Sequence, residues 1–532
     1  MLAGGQPMDA PSTESKQQRK PKGWLRWFYW GVLAIVVLIV GDYIIEDIWG
    51  IYSWSKVRQE LKTAGIPIDA DSYIPAPIPD ALNLAALTIF RFDLIFRPKP
   101  RSGFEEFPGL SHGLEGLFDK MSFSKEDEAK PDHLPFSSDP WQREVPDMAK
   151  VRERLIAFCE KSSPPIAITD ETKTSEILSK LYPALAELRA SNETHPLCQF
   201  KFEKDLLTRF SNGLSIILTQ ISVAKALALE GTLAIHDHNP ELALKDFETT
   251  ENIASGLDHQ PLVISGLVCV GVRAIGMTNI RLGLNQHVWN DDQLEQIDAD
   301  LAKVNLLSNG QYWLRGDFAV NTIPLMEALR KDRQFALRVS RQIATDSGRP
   351  LDPRFAWFEG LYYYLWSDGT FDNYLADQGR HVIAATTQML DPTAHRVYRE
   401  RDEAKGAGPS KGPENITLGP TDDVFARDVK QFAYAQAWRD EARIACRIER
   451  YRLAHGSLPE TLDVLVPAYG SSLPTDVMTG TSYHYKVTAP DKYLLWSVGW
   501  NLVDDGGRWD QGNNQEDPDW VWTTYYQRRD NR

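Results

Sequence analysis

The run Ala224-Lys-Ala-Leu-Ala-Leu-Glu-Gly-Thr-Leu-Ala-Ile235, His-Asp-His-Asn-Pro240, Glu-Leu-Ala-Leu-Lys-Asp-Phe-Glu-Thr-Thr-Glu-Asn-Ile253 decides the fold class, because it writes a helical hairpin in one line. Its outer thirds are rich in Ala, Leu, Glu and Lys, strong helix formers. The polar centre has turn chemistry: Asn239 can cap a following helix, Pro240 suits that helix's first turn, and Glu241 lies at the favourable end of its dipole. The helical signal spreads outward through Phe200 to about Asp300. Upstream, apolar residues recur at three- and four-residue spacing through Val151, Leu155 and Phe158, then through Ile177, Leu178, Leu181 and Leu185. Residues 151–400 therefore read as an irregular helical domain with possible solenoid-like stacking, and the chain as mainly α.

Within the hairpin, Leu227, Gly231, Ala243 and Phe247 stand at the spacing of a tetratricopeptide unit, which the segment resembles; Thr250 and Ser255 occupy positions where that pattern has alanine and proline. At 532 residues the chain exceeds one ordinary core and implies about three folding units. Hydrophobic residues at 42% and charged residues at 25% exclude a wholly disordered or fibrous chain. A net charge of -15 argues against nucleic-acid binding, which needs a basic face. The four cysteines, at 159, 198, 269 and 446, form no CxxC pair, so structural zinc and a disulfide scaffold are not expected. Cys269 reads as a core residue, and a Cys159–Cys198 bridge is left open.

Trp27 to Gly41 (WFYWGVLAIVVLIVG) carries no charge and continues beyond Asp42 to Ile45. As a helix it measures about 28 Å, close to the hydrocarbon thickness of a bilayer. Trp24, Trp27, Tyr29 and Trp30 gather at one end, and Tyr43, Trp49, Tyr52 and Trp54 at the other, as interfacial aromatics do. Lys16, Arg19, Lys20, Lys22 and Arg26 precede the run, so the positive-inside rule expects residues 1–23 as a disordered cytoplasmic tail, 24–48 as a single-pass anchor in a bacterial cytoplasmic membrane, and the bulk outside. A cleaved signal peptide is the competing reading, opposed by the lack of a small-x-small site after the apolar run. Prolines at 67, 75, 77 and 79 lead to the expectation of an extended connection over 49–150. Closely spaced Gly and Pro make 401–423 a linker, with residues 424–532 as a separate module.

That module begins with Val424 to Ala454, which lacks Gly and Pro and reads as one long amphipathic helix ending at His455-Gly456. The strand-like runs Tyr483–Thr488 and Tyr493–Val498 flank Asp491 and should form an antiparallel hairpin. The expectation is a small α+β domain. Its Ile448-Glu-Arg-Tyr-Arg-Leu-Ala-His-Gly-Ser-Leu-Pro, Leu473-Pro-Thr-Asp, Gly480 with Tyr483-His-Tyr, and Tyr493-Leu-Leu-Trp-Ser-Val-Gly resemble the globular domain of the major pseudopilin of type II secretion systems over about residues 425–520. The pilin's peptidase site and glutamate-bearing helix have no counterpart, and the apolar run is separated from the module by almost 400 residues. The whole chain also resembles large bacterial envelope proteins that join one anchor, a helical middle and such a tail. In the pseudopilin family the loop after the Ser-x-Gly strand binds calcium. The resemblance therefore implies a possible calcium site at Asn501, Asp504, Asp505, Asp517 and Asp519, with Asn501 where the family has aspartate; the bland alternative is a solvated acidic loop with Gly506 and Gly507 as turn formers.

His236 and His238 face apart in a turn and fix no third metal ligand. No G-x-S-x-G elbow, S-x-x-K pair in usable context or H-E-x-x-H helix occurs. The expectation is a non-catalytic, membrane-anchored extracytoplasmic scaffold or interaction protein. Its partners are the membrane and an unidentified envelope protein, with no nucleic acid and no small-molecule cofactor implied. The alternatives are an envelope hydrolase using carboxylates of the helical domain, and an accessory component of a type II secretion or pilus-like apparatus.

Overall fold

A computed structural model describes residues 22–87, 90, 147–162, 164–347, 351–354, 362–401, 422–508 and 518–523. Most of the expected N-terminal tail and linker, the stretch 91–146 and Asp517 lie outside the described residues. The architecture is mainly helical with a small antiparallel sheet.

The first helix, α1 (Lys22–Thr63), changes surroundings along its length. From Trp27 to Val40 its large apolar side chains are exposed. Beyond, a stripe at three- and four-residue spacing, Gly50, Ser53, Trp54, Val57 and Leu61, is buried. This spacing is one face of a 3.6-residue helix, and no proline interrupts it before Pro67. The expected connection from residue 49 thus begins as helix through Thr63. The proline segment after it lies along the body instead of standing free: Ile78 N donates to Gln199 Oε1 at 2.9 Å, and Asn83 exchanges hydrogen bonds with the Gln199 backbone at 2.9 and 3.0 Å. Extended backbone without ladder partners needs such bonds when it packs against protein.

Between the two ends of the chain run α2 (Met148–Lys161), α3 (Thr174–Leu181), α4 (Ala184–Thr194), α5 (Leu206–His236), α6 (Pro240–Asp258), α7 (Val263–Asn285), α8 (Asp291–Ala302), α9 (Leu306–Asp317), α10 (Ile323–Lys331), α11 (Phe335–Ser347) and α12 (Asp368–Ile383). The hairpin is α5–α6, and Asn239 caps α6 by accepting from Leu242 N at 3.3 Å. His238 takes a left-handed φ of 56°, while Asp237 accepts from Ser175 N at 2.7 Å at the start of α3. The histidine turn is thus tied to its neighbour structurally. Gly231 admits α7: a Cβ there would meet Asn279 Nδ2 at 2.0 Å. Helices α1 and α7 both contain a stretch long and apolar enough to cross a membrane, but that of α7 is 72% buried within the protein and that of α1 is 0% buried. Helix α7 is therefore a core helix. The four cysteines are buried and unbridged.

The last helix, α13 (Asp422–His455), precedes a three-stranded antiparallel sheet of β3 (His484–Ala489), β4 (Lys492–Ser497) and β5 (Trp520–Thr523), in the order β3-β4-β5; β1 (Leu390–Asp391) and β2 (Arg396–Val397) form a separate small hairpin. One cluster of buried side chains mixes Met277 and Ile280 of α7, Leu294 and Ile297 of α8, Trp438 and Ala445 of α13, and Leu495 and Trp522 of the sheet. The helical middle and the tail share this core. One face of α13 also carries arginines into the acids of its neighbours. Arg439 reaches Glu251 at 3.0 Å, Arg443 and Arg447 both reach Asp298 at 2.9 and 2.7 Å, and Arg450 reaches Asp291 at 2.8 Å.

Helix α12 receives the buried stripe of α1. Glu46 accepts from Ser367 Oγ and Thr370 Oγ1 at 3.1 and 2.6 Å, and Asp47 accepts from Gly369 N at 2.6 Å, so two α1 carboxylates close the N-terminus of α12. The backbones touch there: a Cβ on Gly369 would stand 2.2 Å from the Glu46 carbonyl oxygen. Below the crossing, Trp54, Val57 and Leu61 pack with Phe318, Met326, Leu329, Phe371 and Leu375. Gly369→Ala should therefore destabilise the protein by about 1–3 kcal/mol, the usual cost of overpacking. Gly31→Ala, where a Cβ meets nothing within 4 Å, should leave melting unchanged. Thermal melts of both variants in the same detergent test this, and equal midpoints would refute the close-contact argument.

Candidate functional site

The loop after β4 turns through left-handed φ values at Gly499, Leu502, Gly506 and Gly507. Leu502, at φ 62°, is costly for a side chain of its size. Asp519, 1% exposed, holds the turn by accepting from Asp505 N at 3.2 Å and Gly507 N at 2.7 Å. Asn501 accepts from Val503 N at 2.9 Å and donates to Asp505 Oδ2 at 3.1 Å. Three of the five expected metal residues, Asn501, Asp505 and Asp519, are thus linked. Asp504 is committed elsewhere: it accepts from Trp496 Nε1 at 3.0 Å and Gly506 N at 2.9 Å and faces His484. The Trp496 bond, followed by the Gly506 bond, holds its carboxyl below the usual range. Burial pushes Asp519 up, against the two N–H donors. Backbone N–H groups already answer much of the loop's charge, and among the described residues no group of three or more His, Cys, Asp or Glu is set to hold a metal.

The aspartate of Leu473-Pro-Thr-Asp has a clear structural task. Asp476 is fully buried, accepting from Met478 N at 2.9 Å and Ser497 Oγ at 2.8 Å, and so ties the preceding loop to β4.

A second polar cluster, with no sequence signal, forms where α9 widens into a π turn at Phe318–Thr322. Asp317 accepts from Val263 N at 3.3 Å at the start of α7, whose own N-cap residue, Leu262, offers no side-chain oxygen. Arg209 of α5 anchors this turn through Val320 O at 2.6 Å and attracts Asp317 electrostatically. Asp428 of α13, 8% exposed, lies within electrostatic reach of Asp317. A second π turn, Ala384–Met389, packs on the same helix, and Arg315 grips its Thr386 through Oγ1 and the carbonyl, both at 3.0 Å. Burial pushes Asp317 up to about 6. Burial, reinforced by the negative charge of Asp317, pushes Asp428 up to about 7. Two carboxyls with unequal proton affinities near neutrality have the acid–base character that general acid–base catalysis uses, and π turns are frequent at functional sites. The two aspartates are far apart in the chain, so periodicity could not pair them.

A cavity of about 750 Å³ opens elsewhere, at the end of α1, with Arg58, Lys62 and Pro67 in its wall and neither Asp317 nor Asp428. Compared with known proteins, the chain matches no family model, no curated protein and no solved structure.

The aspartate pair sets a pH dependence. An unfolded aspartate releases its proton near pH 4, whereas folded Asp428 holds it to about 7. Between those values the native state binds more protons, so this group's contribution to stability falls as pH rises, and its penalty is complete above about 7. Asp428→Asn should melt higher than the parent at pH 8, by about 1 °C for each kcal/mol recovered in a chain of this size, with the gap closing towards pH 4. A gap independent of pH would contradict the assignment.

Proposed function

We propose that this is a single-pass, non-catalytic protein of the bacterial cytoplasmic membrane that holds a helical interaction body, fused to a pseudopilin-like tail, against the outer membrane face. One observation carries the reading: α1 passes without a break from a lipid-compatible surface into a core seam. A body built on its own anchor keeps a fixed distance and orientation relative to the bilayer, which suits a scaffold. The basic residues before the apolar run support the cytoplasmic placement of the N-terminus. A reporter fused after Arg532 should be active only outside the cytoplasmic membrane; activity in the cytoplasm would overturn the topology. A pull-down from native membranes should recover an envelope partner, and secretion-system subunits among the captured proteins would favour the accessory-component reading.

Calcium belongs to the same proposal as a stabiliser of the tail, acting through Asn501, Asp505 and Asp519 with Asp517 as a further ligand. Six to eight oxygens must gather for this ion, so occupancy requires main-chain carbonyls or water beyond these side chains. The full-length protein should melt higher in calcium than in chelator, by about 2.7 kcal/mol at 100 times the dissociation constant. Asp505→Asn should reduce the difference. Equal melting in millimolar calcium and in chelator would remove the ion from the reading.

A hydrolase is the second reading, and the Asp317–Asp428 pair favours it. Turnover of an envelope polymer that disappears in both Asp317→Asn and Asp428→Asn, with melting retained, would replace the scaffold reading.

A further inference from the structure

Helix α1 keeps an apolar outward face beyond the run that reads as a span. Ile48, Trp49, Ile51 and Tyr52 are exposed, while Ser55, Lys56, Arg58 and Gln59 follow on the exposed surface. The lipid-compatible collar thus ends near Tyr52. Nine residues earlier, about 13 Å deeper along the helix axis, the Tyr43 hydroxyl donates to the Leu365 carbonyl at 2.7 Å. Leu365 belongs to a short turn, Tyr363–Leu365, just before α12. Tyr363 is buried there, but Tyr364 and Leu365 are 54% and 61% exposed. A turn of the body therefore reaches back along α1 to the level of Tyr43, where the exposed surface of α1 is apolar except for Asp42.

The polar groups of the turn are provided for, while Asp42, exposed one residue before Tyr43, stands at the same depth. An irregular backbone carbonyl facing hydrocarbon costs several kcal/mol if left unbonded, and Tyr43 supplies the donor to Leu365. Glu46 and Asp47 are engaged by Ser367, Thr370 and Gly369 N. Asp368 pairs with Arg333 at 3.0 Å and marks the return to polar surroundings. Tyr364, Tyr43, Trp49 and Tyr52 supply the amphipathic rings found where protein meets headgroups.

We propose that the Tyr363–Leu365 turn dips into the outer leaflet beside α1 and makes a second membrane contact, with Tyr364 and Leu365 inserted among the lipids. The occupant of this surface is lipid because the turn is continuous with the collar of α1 through the Tyr43 bond; this rests on reading α1 as a membrane span. With two contacts, the α1–α12 pair would lock the tilt and rotation of the body on the bilayer.

The full-length chain in nanodiscs tests this. An environment-sensitive fluorophore is attached at Leu365→Cys, and in separate variants at Ile35→Cys in the apolar run and Val464→Cys on the tail. The native cysteines are buried, and labelling of the parent protein measures any background. The Leu365 label should lose about twofold in emission with brominated lipid and resist aqueous iodide, as expected of a probe in hydrocarbon; the Val464 label should behave oppositely. Bromolipid quenching at Ile35 but not at Leu365 overturns the proposal and leaves the anchor intact, as expected if water or a protein partner covers the turn. No bromolipid quenching at either position removes the span reading and the proposal together. Tyr364→Cys repeats the measurement if the Leu365 variant does not fold.

Discussion

Arg439, Arg443, Arg447 and Arg450 stand three or four residues apart on one face of α13, and the arrangement of the helical body around the tail follows from the need to neutralise them. Arg439 is 2% exposed, and a guanidinium at that depth is tolerable only when paired and fully bonded. Glu251 of α6 and the carbonyl of Leu301 meet Arg439; Asp298 of α8 serves Arg443 and Arg447 together. Breaking a buried pair by removing one partner typically costs about 3–5 kcal/mol. Register between α13 and α8 is therefore set by charge as well as by shape, and a slip of one turn would leave several ions unanswered. The sheet inherits this placement through Trp438 against Trp522 and through Glu441, which accepts from Ser497 N.

The crossing of α1 and α12 is held by other means. At the α1–α12 crossing, two glycines bring backbones together, and two carboxylates of α1 add to the capping box that Ser367 and Thr370 already form at the start of α12. Close approach and electrostatic capping reinforce each other, because only a helix this near can lend its acids to another's N-terminus. Trp54, Val57 and Leu61 then fill the groove below.

Local signals in the sequence were sufficient wherever a feature depends on neighbours along the chain. The α5–α6 hairpin, the Asn239 cap, the long α13 and the hairpin around Asp491 all belong to that class, since periodicity and turn chemistry specify them. Apolar spacing continues after residue 49, yet the prolines from 67 onward outweigh it and make the whole stretch read as a connection. What required the fold was pairing over distance. The α13 arginines look like an ordinary charged helix face until Asp298 and Glu251 stand opposite. Asp317 and Asp428 are single acids in unrelated helices, and their burial, with the charge of Asp317 beside Asp428, changes their chemistry. In the acidic loop, the pseudopilin resemblance points to five residues, but the direction of Asp504, towards Trp496 and His484, depends on strand geometry that neither resemblance nor composition encodes.

The second half of α1 is at once part of the proposed anchor helix and a wall of the core, and this bears on how such a protein can be turned over. Many tethered ectodomains are shed intact by cutting a stalk; here a cut before Gly50 would leave Trp54, Val57 and Leu61 on a shortened helix stripped of its upstream turns, while a cut after Leu61 would withdraw them from the body altogether. The second cut would thus expose the face of α12 that binds α1. On the proposed reading of α1 as an anchor, release of the body costs it contacts that hold α12.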